Sequence, residues 1–185
     1  MGTDMTMLYE YKTKSGKWRP IKEDSYLERD YNMFYALTGK VGYGDPLFPP
    51  ISRPKGFPED MSAEWTDDED LKYLIEYEKS GQGHNCISFV TLKELVDSCF
   101  YRKTNFKGWV DEELYEKWIE SDRSYNLFSE PIDTPEYDRS GLVLRDIYGY
   151  PNITLVERII EPMKRMKQEC ELISDNDIRM IFWLG

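Results

Sequence analysis

The sequence predicts an α+β fold, mixed α/β in content, with helices packed on a central sheet that includes an N-terminal hairpin and a C-terminal strand. Three observations predict it. Met7, Tyr9 and Tyr11 alternate with Leu8, Glu10 and Lys12, the period of two expected of a strand. Leu155, Ile159, Met163 and Met166 recur at helical spacing. Ile178-Arg179-Met180-Ile181-Phe182-Trp183-Leu184 is apolar at nearly every position, as in a strand buried on both faces and too apolar for an edge.

The elements follow in order. Residues 5–21 read as a hairpin with Lys14-Ser15-Gly16-Lys17 as its turn and Trp18–Ile21 as the return strand. Residues 26–38 read as a helix, because Leu27, Tyr31, Phe34 and Leu37 share one face; Gly39 would stop it. Five of the ten prolines then lie between 46 and 58, which excludes a long helix or a central strand there. A long stiff loop of this kind suits a functional role. Asp60 or Ser62 is placed to cap a short turn around Ala63–Trp65, with Asp60 read as an N-cap rather than a base. An acidic helix is expected over 67–79. A short apolar strand, Cys86–Val90, leads into the capping box Thr91-Leu92-Lys93-Glu94 and a helix to about Tyr101. Another helix is expected over 111–121 with Leu114, Trp118 and Ile119 inward. Residues 122–150 show little periodicity. The longest helix covers 151–172, with Pro162 as a kink or a new first turn. The whole reads as a single domain, 1–185, with a variable, insertion-like region over about 100–150.

The chain has 185 residues and a mass of 22.0 kDa, enough to bury about 70% of its extended surface and build a core without staples. Aromatic residues make up 15%, against disorder despite 32% charged residues. No apolar run is long enough for a membrane span, and the N-terminus lacks a basic and then apolar leader, so a cytoplasmic location is expected. The net charge of −11 excludes a general duplex nucleic-acid binder. Cys86, Cys99 and Cys170 form no CxxC pair, so neither a disulfide framework nor a zinc site is indicated. His84 is the single histidine, which excludes two-histidine catalysis within one subunit. No Walker loop, GxGxxG, HExxH or GxSxG is present, and no cofactor or metal is expected.

Met1-Gly2-Thr3-Asp4-Met5-Thr6 with Gly16-Lys17-Trp18 resembles the opening "MGCDIH … GxW" of a family of phage and prophage proteins. Arg29-Asp30-Tyr31-Asn32-Met33-Phe34 is similar to "R(N/D)YxLF", and 50–62 to "PIxxPRGLPxDxS". Ser88–Leu95 resembles "SWLTLxEL", and Ile178–Trp183 the closing "VRLVFWF". The family's first histidine is Thr6 here, and Asn85 stands at the offset of its second. If relatives use those two histidines as a pair, this chain has lost at least one, which favours binding over hydrolysis. By context, the resemblance implies a phage anti-defence protein that binds a nucleotide immune signal.

The residues offer a matching constellation, each with a plainer alternative. Arg29-Asp30-Tyr31 joins a phosphate-type guanidinium to a carboxylate and a phenol, or else these pair and pack locally. Arg53 and Lys55 put two cations on a proline-stiffened loop beside Gly56, or else the loop is only a connector. His84, Asn85 and Ser88 suit a base edge or ribose, or else are ordinary polar positions. Asp4 and Thr6 share a strand face and point to the same cavity, or else cap the strand. Tyr43 is a stacking candidate among fourteen tyrosines. The expected function is sequestration of a small anionic nucleotide without turnover. The alternatives are a phosphodiesterase using His84 as general acid or base and an acidic protein–protein inhibitor of a host factor. Shared pockets in small sequestering proteins point to a homodimer or higher.

Overall fold

The computed structural model describes residues 4–23, 26–27, 30–40, 47–80 and 86–184. It has the α+β character expected. Its contacts divide the chain into two units. The first is Met1–Asp30, Ser52–Glu94 and Pro162–Gly185; the second is Tyr31–Ile51 and Leu95–Glu161.

The first unit is built on an antiparallel sheet. Strand β1 (Met5–Lys12) turns back into β2 (Trp18–Ile21). Gly16 takes φ +81° in that turn, a conformation open to glycine at little cost, and its N–H donates to Thr13 O at 2.8 Å. A two-residue strand β3 (Tyr26–Leu27) pairs with β1 at Met5 and Thr6. This corrects the helix expected from residue 26: Leu27 lies in a strand, and α1 (Tyr31–Thr38) starts later. The shared spacing of Leu27 with Tyr31 mimicked a helical face, whereas the free edge of β1 beyond β2 gives residues 26–27 ladder partners.

Strand β7 (Ile178–Leu184) lies between β1 and β4 (Cys86–Thr91), antiparallel to both, in the order β2-β1-β7-β4. It is interior and beside the N-terminal strand, as its apolar sequence predicts. Met180 and Trp183 point to opposite faces. One face carries Met5, Met7, Tyr9, Met180, Phe182, Leu184 and Val90, all buried. The opposite face carries Glu10, Arg179, Trp18, Ile181 and Phe89.

Two short helices follow the proline-rich stretch, α2 (Ala63–Thr66) and α3 (Glu69–Lys79). Ser62 caps α2 by accepting from Glu64 N, and Asp68 caps α3 by accepting from Leu71 N at 3.0 Å. Asp60 caps nothing, against expectation, because its carboxylate is taken by two other donors. The capping box forms as read: Thr91 Oγ1 accepts from Glu94 N at 3.2 Å and Glu94 Oε2 from Thr91 N at 2.9 Å. It opens α4 (Leu92–Asp97), which gives way to a 3-10 turn at Cys99–Tyr101.

In the second unit α1 buries Met33, Phe34, Ala36 and Leu37 and stops at Gly39, whose φ is +67°. Strands β5 (Thr104–Asp111) and β6 (Leu142–Gly149) form a separate two-stranded antiparallel sheet. Between them runs α5 (Glu112–Glu120), capped by Asp111 at 2.9 Å. Trp118 is buried as expected. Leu114 and Ile119 are 51% and 42% exposed, which corrects their inward assignment. Later, α6 (Ile153–Leu155) passes through a π-helical turn, Val156–Ile160, into α7 (Glu161–Glu169). The widened turn precedes Pro162, whose ring lacks an N–H and crowds the carbonyl four residues back, so the chain widens here instead of breaking.

Candidate functional site

The first unit concentrates its polar chemistry on one face of the sheet, beneath the loop 52–62. Glu10 and Arg179 oppose each other in the β1–β7 register. Arg179 Nη2 lies 2.7 Å from Glu10 Oε2, and its Nε donates to the same oxygen at 2.8 Å. The other Glu10 oxygen accepts from Ser62 N at 2.7 Å. Arg179 Nη1 donates to Asp60 Oδ1 at 2.7 Å, and Trp18 Nε1 donates to Asp60 Oδ2 at 2.8 Å. The guanidinium lies 3.9 Å from the centre of the Trp18 ring. Burial pushes the Glu10 carboxyl up, although the Ser62 N–H and Arg179 pull the other way. Burial also works against ionising Asp60, yet its hydrogen bonds from Arg179 and Trp18 prevail and hold its carboxyl below the usual range.

The same loop is tied to β4. Lys55 N donates to Ser88 Oγ at 3.1 Å, and Gly56 N donates to Ile87 O at 3.0 Å. The Lys55 ammonium sits 2.5 Å from Glu94 Oε1 and 4.8 Å from the Phe89 ring centre. Burial again opposes ionisation of Glu94, but hydrogen bonds from Lys55 and Thr91 N set its carboxyl low. Between the hairpin turn and the loop's far end opens a groove of about 470 Å³, lined by Lys17, Trp18, Arg19, Asp60, Ser62 and Glu64 among others. Arg19 pairs with Glu64 there.

Of the residues singled out from sequence, the structure brings Lys55 and Ser88 together. Ser88 is fully buried, with its hydroxyl occupied by the Lys55 amide. Arg53 is exposed and makes no ion pair among the described residues. Thr6 is half-buried in β1 opposite Trp183, and Asp4 precedes it. Asp30 closes the first unit's N-terminal segment. Tyr31 opens α1, 37% exposed, edge-on to Phe34 at 6.0 Å. Arg29, Tyr43, His84 and Asn85 lie outside the described residues. Sequence reasoning missed Glu10 and Arg179. For Arg179 the signal was there: it is the one charge in an otherwise apolar strand, which requires a partner.

Among the described residues no group of His, Cys, Asp and Glu is placed to hold a metal ion, and no helix is long and apolar enough to cross a membrane. No family model, curated protein or solved structure matches the chain.

Proposed function

We propose that this protein binds a small anionic nucleotide at the loop of the first unit and holds it without turnover, as an anti-defence sponge of phage type. The observation that carries the reading is the loop's anchoring. Two hydrogen bonds to β4 fix the backbone at Lys55 and Gly56, so the exposed Arg53 is carried on an anchored loop, while the Lys55 ammonium must exchange Glu94 for a ligand. Preorganisation of this kind reduces the entropy lost on binding. In a chain of net charge −11, an anion is repelled at long range and must be held by cations at short range. A desolvated Arg–phosphate contact contributes roughly 1.5–3 kcal/mol. A groove of ligand size also opens at the loop's far end, around Asp60–Glu64 and the β1–β2 turn, although neither Arg53 nor Lys55 lines it. The resemblance to phage proteins supplies the context.

The test is direct. The protein is incubated with a panel of linear and cyclic nucleotides, denatured by heat, and the supernatant chromatographed. Intact recovery of a depleted nucleotide supports the sponge. New products support a phosphodiesterase with His84 as acid or base. No depletion sinks both. We propose that the protein works as a homodimer or higher; light scattering near 22 kDa at micromolar concentration counts against that.

A second reading, an acidic inhibitor of a host protein, is favoured by one feature. Residues 111–139 carry ten acidic and three basic side chains, most of the chain's net charge. The same stretch exposes Leu114, Ile119, Tyr125, Phe128, Ile132 and Tyr137. A surface both acidic and aromatic suits a basic protein partner.

A further inference from the structure

We infer that the second unit carries a pocket for the ammonium head of a lysine side chain, presented by a basic protein partner. The inference is independent of the nucleotide reading and gives the acidic-inhibitor reading a specific anchor.

The pocket lies wholly within the second unit. Asn32, Tyr35, Phe48, Phe100, Phe106 and Glu130 contribute to its walls. Its volume is about 30 Å³. A water needs roughly 10–15 Å³ on the same measure, so the space takes one small head group and excludes a nucleobase or sugar.

The polar chemistry has one sense. Asn32 Nδ2 donates to Glu130 Oε2 at 2.6 Å. A carboxylate only accepts, which fixes the amide's orientation and leaves Asn32 Oδ1 as the second acceptor. That oxygen is buried with no hydrogen-bond partner. A buried acceptor left unpaired costs free energy that a donor would recover. The group that fits must therefore donate, and beside a carboxylate it should be positive.

The apolar walls suit the same group. Phe48 meets Phe106 edge-on at 5.8 Å and Phe100 at 6.2 Å. Aromatic rings attract cations, and a lysine's methylene stem packs on them while its head reaches the carboxylate. Lys107 also borders the pocket, but its ammonium is 3.0 Å from Asp146 and 55% exposed, so its charge is already matched.

The surroundings select the source. Ser129, Glu130 and Pro131 line the pocket and belong to the acidic stretch 111–139. That stretch repels a second copy of itself and attracts a basic segment. A lysine fits where an arginine does not, because the guanidinium is a broad planar fork and the ammonium a compact point charge.

The test uses the full chain, isotopically labelled, at low salt. The probes are Nα-acetyl-lysine methylamide, its arginine counterpart, and hexalysine against hexaarginine. Expected are amide shifts centred on Asn32, Phe106 and Glu130 with the lysine amide, and hexalysine binding several-fold tighter than hexaarginine. Glu130→Gln keeps the Asn32 bond and removes the charge; it should weaken hexalysine roughly tenfold or more with the melting temperature retained. Glu113→Gln, out on α5, should cost less than threefold. Equal binding of both peptides, shifts spread along 111–139 and indifferent to Glu130→Gln, or no lysine-dependent shift at all, would each overturn the pocket. Nucleotide retention is read separately, so either result stands without the other.

Discussion

Glu10 and Arg179 are 169 positions apart in the chain and 2.7 Å apart across the β1–β7 ladder, with the arginine side chain 4% exposed and the glutamate fully buried. Two charges removed from water hold each other, and each needs the other there. Removing Arg179 strands the buried Glu10, which typically costs about 3–5 kcal/mol, whereas removing Glu10 leaves Arg179 paired with Asp60. Arg179→Met should therefore destabilise by an amount of that order in urea denaturation, and Glu10→Gln by less. Their combination should cost clearly less than the sum, the signature of direct coupling. Strict additivity would show that the pair is not a unit.

Asp60 gives the clamp an acid limb. Its carboxyl is held below its ordinary value of 3.8 by Arg179 and Trp18. Its contribution is therefore complete above pH 3.8 and is lost as pH falls through the lower folded value. Asp60→Asn should lower stability by about 1 kcal/mol at pH 6, given how exposed the carboxylate is. The gap to the parent should close as pH falls through the lowered folded value. A gap that widens on acidification has the wrong sign and rejects this role.

For the nucleotide site, Arg53→Ala should abolish ligand retention with little change in melting temperature, since Arg53 is exposed and unpaired among the described residues. Arg29→Ala should do the same, while His84→Ala should weaken retention only modestly. If His84→Ala leaves binding intact and stops turnover, the enzyme reading replaces the sponge. Parent-like retention in all three moves the site elsewhere.

Strand β6 has β5 on one side only. Two carbonyls that bond side chains are those of Leu144 and Asp146: Arg145 donates to the first at 3.2 Å and the Tyr115 hydroxyl to the second at 3.2 Å. Arg145 is steadied by Glu112 at 2.6 Å. Occupied carbonyls make a poor template for another strand. The double variant Tyr115→Phe/Arg145→Ala should show concentration-dependent association by light scattering at a melting temperature close to the parent's. A monodisperse variant that matches the parent in size would refute the guard.

Gly108 lies against Ser129. A Cβ there would sit 2.9 Å from the Ser129 Cβ and 3.1 Å from Ile147 Cδ1. Gly108→Ala should cost about 1–3 kcal/mol through overpacking. A neutral result would mean that residue 129 moves aside freely.

The first unit's sheet was legible because its signals are local or extreme. The alternation from Met7 to Tyr11 and the apolar run at 178–184 have few other physical solutions. Thr91 and Glu94 announced their box by spacing alone. The second unit was legible in its helices but not in its strands. Gly108 and Lys107 interrupt the apolar pattern of β5, and Arg145 and Asp146 that of β6, so neither reads as a strand without its partner. Leu114 was misplaced because a helical face was assigned by hydrophobicity while the burial went to Trp118. At the candidate site, cations were recognisable as such, but the carboxylates that engage them were not. Glu94 reaches Lys55 across 39 positions, a relation that no local spacing encodes.

The position of β7 also bears on how the protein is made. The strand at the middle of the first unit's sheet is drawn from residues 178–184, whereas its neighbour β1 leaves the ribosome first. At about 5–20 residues per second, translation separates the two by roughly 10–30 s. Through that interval the inner edge of β1 and the side chains of Met5, Met7 and Tyr9 have no permanent cover. The second unit is complete once Glu161 has emerged, before β7 is made. The nascent chain should thus hold a folded second unit beside an unfinished first one, a natural client for a holding chaperone until the last strand arrives.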